Sequence, residues 1–99
     1  PGLVVVDFSA PWCIDCKILD YGMPKVIKKH PDVLFLTVDV DRVQTARRDF
    51  RVFHIPHVSF FKGNLTELAS IVEGRAEHVD KKIIELKQKL SLSGETNDN

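Results

Sequence analysis

The sequence predicts a single α/β domain of order β-α-β-α-β-β-α, with helices flanking a mixed four-stranded sheet. Three observations support this class. The chain has 99 residues, 43% of them hydrophobic, which suits one domain with one core. Val-rich apolar runs alternate with amphipathic stretches, as in strands joined by helices. A Gly-Asn pair separates the last two strand-like runs, as in a hairpin.

The first strand and helix are the clearest elements. Residues 3–8 are rich in Val and nearly all apolar, which is typical of a buried strand. A helix is expected to begin at Cys13 or the next residue and to run towards Lys29. Gly22 and Pro24 should bend or interrupt this helix.

The middle of the chain predicts a second strand and a short helix. Residues 33–40 read as a second buried strand, and residues 41–50 as a helix with a thin apolar face and Asp41 as a plausible N-cap. Because a helix joins the first two strands, those strands should be parallel.

The last part of the chain predicts a β-hairpin and a helix. Residues 57–62 and 65–72 should form antiparallel strands joined by a tight two-residue turn at Gly63-Asn64, since both residue types tolerate positive φ. Residues 76–90 are amphipathic and should form the final helix. We therefore assign residues 1–90 to one domain and 91–99 to a polar, disordered tail.

The composition argues against several functional classes. Basic and acidic residues balance at 14 each, so nothing electrostatic indicates nucleic acid or an anionic membrane as a partner. No apolar run approaches the roughly 18 residues that span a bilayer, and no secretory signal is visible. Two cysteines are too few for a secreted disulfide scaffold, and we expect a cytoplasmic protein. Because the chain begins at Pro1 and its one methionine is Met23, we also expect a processed product or an excised domain, from which a targeting signal could have been removed.

Both cysteines lie in one short motif at the junction of the first strand and helix. Cys13 and Cys16 are separated by two residues, so their thiols can close a small disulfide ring and reopen it. The helix dipole and free backbone N–H groups favour a thiolate at the first sulfur. Cys13, exposed at the helix start, should therefore attack, and the more buried Cys16 should resolve the mixed disulfide.

Asp7 is an acid in an otherwise apolar strand. Burial should raise the pKa of its carboxyl above the ordinary value of about 3.9. The alternative interpretation is an aspartate that caps a loop at the end of the strand.

Several stretches together resemble the thioredoxin family over residues 3 to about 90. The Val-rich strand, its buried Asp and the following Trp-Cys-x-x-Cys-Lys resemble the family's central strand and active site. A later Ile-Pro stands where the family has its cis-proline. The stretches that carry the resemblance are 4–17, 38–41, Ile55-Pro56, 60–63 and Gly74.

The resemblance implies a fold and an activity. It implies a thioredoxin-like protein-disulfide oxidoreductase that exchanges a Cys13–Cys16 dithiol or disulfide with protein substrates. Asp7 would relay the proton of Cys16. No bound cofactor is implied, because electrons would arrive through a dithiol reductase or another exchange partner.

The resemblance also implies a substrate groove shaped by Trp12, Ile55, Pro56 and Gly74. The backbone of Ile55 would pair with an extended substrate peptide, and Gly74 would let the peptide approach closely. The alternatives are plain packing for Trp12, a trans turn at Pro56 and a simple strand terminator at Gly74.

The chain departs from the family pattern near the dithiol. Ile14-Asp15 replaces the usual Gly-Pro, Tyr21 replaces a helix proline, and His57 stands where Thr is common. Ile14, Asp15, Lys17 and His57 should therefore tune the reaction; in particular, the Asp15 carboxylate opposes a second negative charge at the first sulfur. The family's N-terminal strand and helix have no counterpart in the chain.

The sequence is also compatible with two other functions. His54 and His57 flank Ile55-Pro56, so a Cys₂His₂ zinc site, or an iron–sulfur cluster bridging two chains, is one alternative, although the spacing argues against it. A non-catalytic interaction domain is the other. His30 and His78 read as ordinary surface residues.

Residues 33–38 should form an edge of the sheet. A flat apolar edge tends to pair with another strand. We therefore expect either an upstream segment of a longer protein to cover this edge, or self-association through it.

Overall fold

The computed structural model describes residues 2–93. The element order is the predicted one. The elements are β1 (Leu3–Ser9), α1 (Ile14–Lys29), β2 (Leu34–Asp39), α2 (Thr45–Asp49), β3 (His57–Lys62), β4 (Glu67–Val72) and α3 (Ala76–Ser93). Helix α3 thus runs three residues past the predicted domain boundary at 90, and the remainder of the predicted tail lies outside the described residues.

The four strands form one mixed sheet of order β2-β1-β3-β4. Strand β1 pairs in parallel with β2 and antiparallel with β3, and β3 pairs antiparallel with β4. This is the predicted α/β architecture, and it places β1 in the interior of the sheet. None of the helices within the described residues is long and apolar enough to cross a membrane.

Strand β1 is buried along its whole length because both faces of the sheet are covered. Leu3 and Val5 belong to a core that α1 and α3 cover, while Val4, Val6 and Phe8 belong to a second core on the other face. Since side chains alternate between faces, Asp7 points to the α1 side. The strand therefore delivers one carboxyl to the face that the middle of α1 covers.

Strand β2 is at the edge of the sheet, as expected, but its predicted burial is wrong. Leu34 and Leu36 are 43% and 46% exposed. In the parallel register they stand beside Val4 and Val6, on the face that carries α2. That helix has five residues, which is too few to cover the edge strand.

Helix α2 is shorter than predicted, and Asp41 is not its N-cap. The helix spans Thr45–Asp49 and follows Gln44, which makes no side-chain capping bond. Ala46 is its one buried residue, so little apolar surface favours a longer helix. The carboxylate of Asp41 instead accepts a hydrogen bond from the indole of Trp12.

The β3–β4 turn differs from the predicted two-residue turn at Gly63-Asn64. The backbone N–H of Leu65 donates to the Lys62 carbonyl over 2.8 Å, and that of Lys62 donates to the Thr66 carbonyl over 2.9 Å. Leu65 takes the left-handed conformation, with φ of 68°. This is a three-residue loop closed by a left-handed residue. Strand β3 ends at Lys62 as predicted, whereas β4 begins at Glu67, two residues later than predicted.

Helix α1 continues through Gly22 and Pro24, so the expected interruption does not occur. A Cβ at position 22 would lie 2.8 Å from the Cβ of Ala76. The glycine therefore allows the close approach of α1 to the start of α3.

His30 is buried, and its prediction as a surface residue is wrong. The Lys87 ammonium, which can only donate, lies 3.0 Å from Nδ1, so the opposite N–H donates to Asp80 over 2.8 Å. Lys29 also donates to Asp80, and Lys87 to Asp32. This network fixes the end of α1 to α3.

We expect Asp80→Asn to lower the free energy of unfolding by about 1–2 kcal/mol at pH 7. Lys29 and His30 hold the pKa of Asp80 below its ordinary value of 3.8. A carboxyl with a lowered pKa stabilises the fold above its unfolded pKa, and this contribution disappears as the pH falls through the lowered value. Urea unfolding at pH 7 and pH 2.5 tests this, with the exposed Asp49→Asn as control. An equal loss in the free energy of unfolding at both pH values would contradict an electrostatic origin of the Asp80 contribution.

Candidate active site

The two cysteines lie at the first turn of α1, directly beyond the end of β1. Cys13 is the N-cap, and its Sγ accepts a hydrogen bond from the backbone N–H of Cys16 at 3.2 Å. The N–H of Cys13 donates to the Ala10 carbonyl, and its own carbonyl accepts from Lys17. Both thiols are free. The first sulfur thus occupies the positive end of the helix dipole, where negative charge is stabilised.

Cys13 is less accessible than its position in the motif indicated. It is 7% exposed, against 1% for Cys16, so the expected difference holds but the expected exposure of Cys13 does not. Its neighbours Trp12 and Ile14 are both strongly exposed and stand on either side of it. A reacting sulfur must therefore reach Cys13 between two exposed apolar side chains.

Cys16 needs a base to become a nucleophile. Burial, followed by its interaction with the Cys13 thiol, raises the pKa of Cys16 to about 12. A hydrogen bond from the backbone of Ala10 opposes this rise but does not cancel it. At neutral pH the second thiol therefore keeps its proton unless a neighbouring group removes it.

Asp7 is placed to influence that proton. It is 7% exposed, and its Oδ1 has no hydrogen-bond partner among the described residues. Burial raises the pKa of Asp7 to about 8, with a further rise from the hydrogen bond and charge of Asp20. The charge of Asp7 in turn raises the pKa of Cys16, so the two groups affect each other's ionisation. Such a carboxylate is a far stronger base than an exposed aspartate.

A groove of about 440 Å³ opens beside Cys13. The sulfur of Cys13 lies 3.9 Å from the carbonyl oxygen of Ile55, whose peptide bond to Pro56 is cis. The indole N–H of Trp12 donates to Asp41 over 2.7 Å, which holds the ring beside the groove. Trp12, Cys13 and Ile55 therefore line the same groove, and their binding of substrate stays a prediction.

Other residues of the groove were not predicted as substrate-binding residues. Phe53 adds an exposed aromatic surface, and Asp15, Arg47 and Glu73 add charges of both signs. Phe53 could have been found as a large apolar residue just before the Ile-Pro pair. Arg47 and Glu73 carry no signal in the sequence, because α2 and the end of β4 reach the groove only through the fold.

Of the residues predicted to bind substrate or to tune the reaction, four lie outside the lining of the groove: Pro56, Gly74, His57 and Lys17. The side chain of Pro56 is fully buried. A Cβ at Gly74 would collide with Cγ2 of Ile71, so the glycine makes room for packing within the domain. His57 is buried against Phe8 and lies 3.0 Å from the Ser59 hydroxyl, and burial lowers its pKa. Lys17 is exposed and contacts the motif through its backbone.

The two histidines that suggested a metal site lie in different environments. His54 lines the groove, whereas His57 is packed against an aromatic ring. Within the part of the chain that the structure describes, no group of three or more His, Cys, Asp or Glu side chains is placed to hold a metal ion.

Comparison with known proteins decides the family. The sequence profile of the family described as Thioredoxin matches residues 1–85. The chain belongs to the thioredoxin family. This membership and the fold support a thiol–disulfide oxidoreductase role in general.

Curated thioredoxins resemble the chain over most of its length. It is 34% identical to a thioredoxin H-type of Brassica campestris over 86 residues, covering 87% of this chain and 69% of that protein. It is 39% identical to thioredoxin domain-containing protein 2 of Rattus norvegicus over 85 residues, which is 86% of this chain but 15% of the rat protein.

Solved thioredoxin structures share the fold. The structure of Trichomonas vaginalis thioredoxin superimposes with a TM-score of 0.79 at 35% identity, covering 87% of this chain and 80% of that one. The oxidised mitochondrial thioredoxin 3 of Saccharomyces cerevisiae gives a TM-score of 0.79 at 27% identity, covering 85% and 78%.

Proposed function

We propose that this thioredoxin-family chain reduces or forms disulfides in protein substrates through Cys13 and Cys16. The observation that carries the proposal is the hydrogen bond from the Cys16 N–H to the Cys13 sulfur at the start of α1, beside an open groove. A sulfur held in this way is stabilised as a thiolate and can attack a disulfide.

The reduction proceeds in two balanced exchanges. The Cys13 thiolate attacks one substrate sulfur, which forms a mixed disulfide and releases the other substrate sulfur as a thiolate that takes up a proton. Cys16 then loses its proton and attacks the Cys13 sulfur, which forms the Cys13–Cys16 disulfide and releases the second substrate thiol. The substrate gains two electrons and two protons, and an exchange partner with a dithiol restores the reduced domain.

Asp7 is the proposed proton acceptor for Cys16. Its raised pKa of about 8 makes the carboxylate a stronger base than an ordinary aspartate, and its burial places it in the same interior as the thiol. General-base catalysis is most effective when the pKa of the base lies near the working pH. We therefore expect the resolving step to accelerate as the pH rises through about 8.

The groove suits an extended segment of a protein substrate. Trp12, Ile14 and Phe53 offer apolar surface on both sides of Cys13, and the Ile55 backbone lies beside the sulfur. Backbone pairing at Ile55 would orient the substrate disulfide, and the apolar side chains would bury its flanking residues.

The proposal is tested by two measurements on the purified 99-residue chain. Turbidity from insulin reduction by dithiothreitol should rise faster with the protein present. Equilibration with defined ratios of reduced and oxidised glutathione, read by alkylation and mass, should show one dithiol–disulfide couple and give its potential. Acceleration no greater than that of the Cys13→Ser variant would contradict the oxidoreductase and favour a binding domain.

We also propose that the β2 edge pairs with another strand. Among the described residues β2 pairs with β1 alone, and Leu34 and Leu36 stand exposed along it. Such an edge accepts an upstream strand in a longer chain or a second copy of this one.

The two cysteines and the dithiol chemistry favour the reducing cytoplasm as the compartment.

In the 99-residue chain we expect a concentration-dependent dimer. Leu36→Lys should make the protein monomeric, because a charge on an edge strand opposes pairing. Ile84→Lys, on the exposed side of α3, is the matched control and should leave the dimer intact. Sedimentation velocity distinguishes the variants, and a wild-type monomer at millimolar concentration would contradict the expectation.

A further inference from the structure

Asp20 is an acidic residue that the reaction described above does not use. It is exposed on α1, four residues after Cys16. It lines a cavity of about 300 Å³ between α1, β1 and β2, separate from the groove beside Cys13. The same cavity is lined by Asp7, so the two carboxyls share one opening to solvent.

Among the described residues, the remaining lining of this cavity contains no positively charged side chain. Strand β1 contributes Asp7 and the apolar Val5, β2 contributes Thr37 as its polar group, and α1 contributes apolar side chains besides Asp20. On β3, the residue opposite Asp7 is the apolar Val58.

The titratable groups that face Asp7 are therefore acidic or thiol groups. Cys16 and Asp20 on α1 are the groups that interact with its ionisation. The lysine of the same helix, Lys17, is exposed and absent from the cavity lining. Nothing in the cavity lining thus offsets the repulsion between the two carboxylates.

We propose that Asp20 is a positioning residue for the resolving step, which shares a proton with Asp7 and gives that proton a route to solvent. The inference rests on the proposed function. It stands on the shared cavity, on the buried Oδ1 of Asp7 without a partner among the described residues, and on the exposure of Asp20.

The proton balance of the step is simple. When Cys16 ionises, its proton moves to the Asp7 carboxylate, which becomes a carboxylic acid. The acid then donates that proton to the Asp20 carboxylate, and Asp20 releases it to water at the cavity mouth. Asp7 is again a carboxylate, and no electrons move in this transfer.

Two effects follow from the negative charge of Asp20. It opposes ionisation of Asp7, and so makes Asp7 a stronger acceptor for the thiol proton. It also supplies the acceptor through which Asp7, which is almost fully buried, loses the proton again. A neutral residue of the same shape at position 20 would remove both effects while keeping the packing.

The experiment compares wild type with Asp20→Asn, Asp7→Asn and the double variant. Reduced protein is mixed with excess dithionitrobenzoate, and the second release of thionitrobenzoate reports the attack of Cys16 on the mixed disulfide. The ¹³C shift of the Asp7 carboxyl is titrated in parallel. Asp49→Asn, which removes an exposed acid from α2, is the control.

In Asp20→Asn the Asp7 titration should move to lower pH by roughly one unit, and the midpoint of the second release should move with it. Asp7→Asn should abolish that midpoint, and the double variant should match Asp7→Asn alone because Asp20 acts through Asp7. An unchanged Asp7 titration in Asp20→Asn, or fully additive rate losses, would overturn the inference.

The proposed function and the role of Asp20 are contradicted by different results. If wild type shows no second release and does not reduce insulin, the proposed function is wrong, and the role of Asp20 in the resolving step is wrong with it. If wild type is active and Asp20→Asn behaves as Asp49→Asn does, the function stands and this inference alone is overturned.

Discussion

Cys13→Ser is expected to abolish insulin reduction, with a loss of at least about a thousandfold, or about 4 kcal/mol in the barrier. Serine can accept the same backbone hydrogen bond at the helix start, so the fold should be kept. Its hydroxyl does not ionise near neutral pH and cannot form a disulfide. The turbidity assay and a urea unfolding curve of the same variant measure the two effects separately.

Cys16→Ser is the matched variant because it removes the same atom three residues later. It leaves the attacking thiol in place, so a mixed disulfide with the substrate should form and persist, visible as an adduct by mass spectrometry. Cys13→Ser should give no such adduct. An adduct that forms on Cys16 while Cys13 stays free would reverse the roles assigned to the two thiols.

Asp7→Asn is expected to stabilise the protein by about 2–4 kcal/mol at pH 9. Folding raises the pKa of Asp7 from 3.8 to about 8, mainly through burial. A carboxyl whose pKa is raised in the fold binds more protons when folded than when unfolded. Its stabilising contribution is complete below 3.8 and is lost as the pH rises to about 8. Asparagine carries no charge and avoids that loss.

Urea unfolding of wild type and Asp7→Asn at pH 4 and pH 9 measures this effect. The gain should be small at pH 4 and large at pH 9. Asp80→Asn provides a control of opposite sign, since the pKa of Asp80 is lowered and its removal should destabilise the fold at neutral pH. A gain over wild type that is no larger at pH 9 than at pH 4 would show that the carboxyl is solvated rather than desolvated.

The expected pair of results for Asp7 has a common cause. Desolvation makes the carboxylate costly to the fold and, by the same energy, a stronger base for Cys16. We therefore expect Asp7→Asn to gain stability and to slow the resolving step. This is the usual exchange of stability for activity at a reactive site.

The sequence was sufficient where local pattern and burial agree. The Val-rich β1 has apolar neighbours on both faces, so its strand character and the burial of Asp7 were predictable. The proximity of Cys13 and Cys16 was also predictable, because it depends only on where one helix begins. These features depend on residues that are close in the chain.

Features that depend on distant residues were not predictable from the pattern. His30 looks like a surface residue, and Asp80 and Lys87 surround it only because α1 and α3 pack together. Asp41 looks like a helix cap until the position of Trp12 is known. In each case a polar side chain was assigned to the nearest local role, while the fold supplied a partner dozens of residues away.

The interior position of β1 in the sheet predicts slow hydrogen exchange in the strand that leads to the dithiol. Amides that are hydrogen-bonded to strands on both sides exchange with deuterium through large openings of the structure, whereas an edge strand exchanges through small local ones. Protection should therefore be greatest along β1 and β3, which have strands on both sides, and weaker along the edge strand β4. The strand that carries Asp7 and leads to the cysteines would then be among the slowest parts of the sheet to exchange, and substrates would meet a rigid surface rather than a fluctuating one.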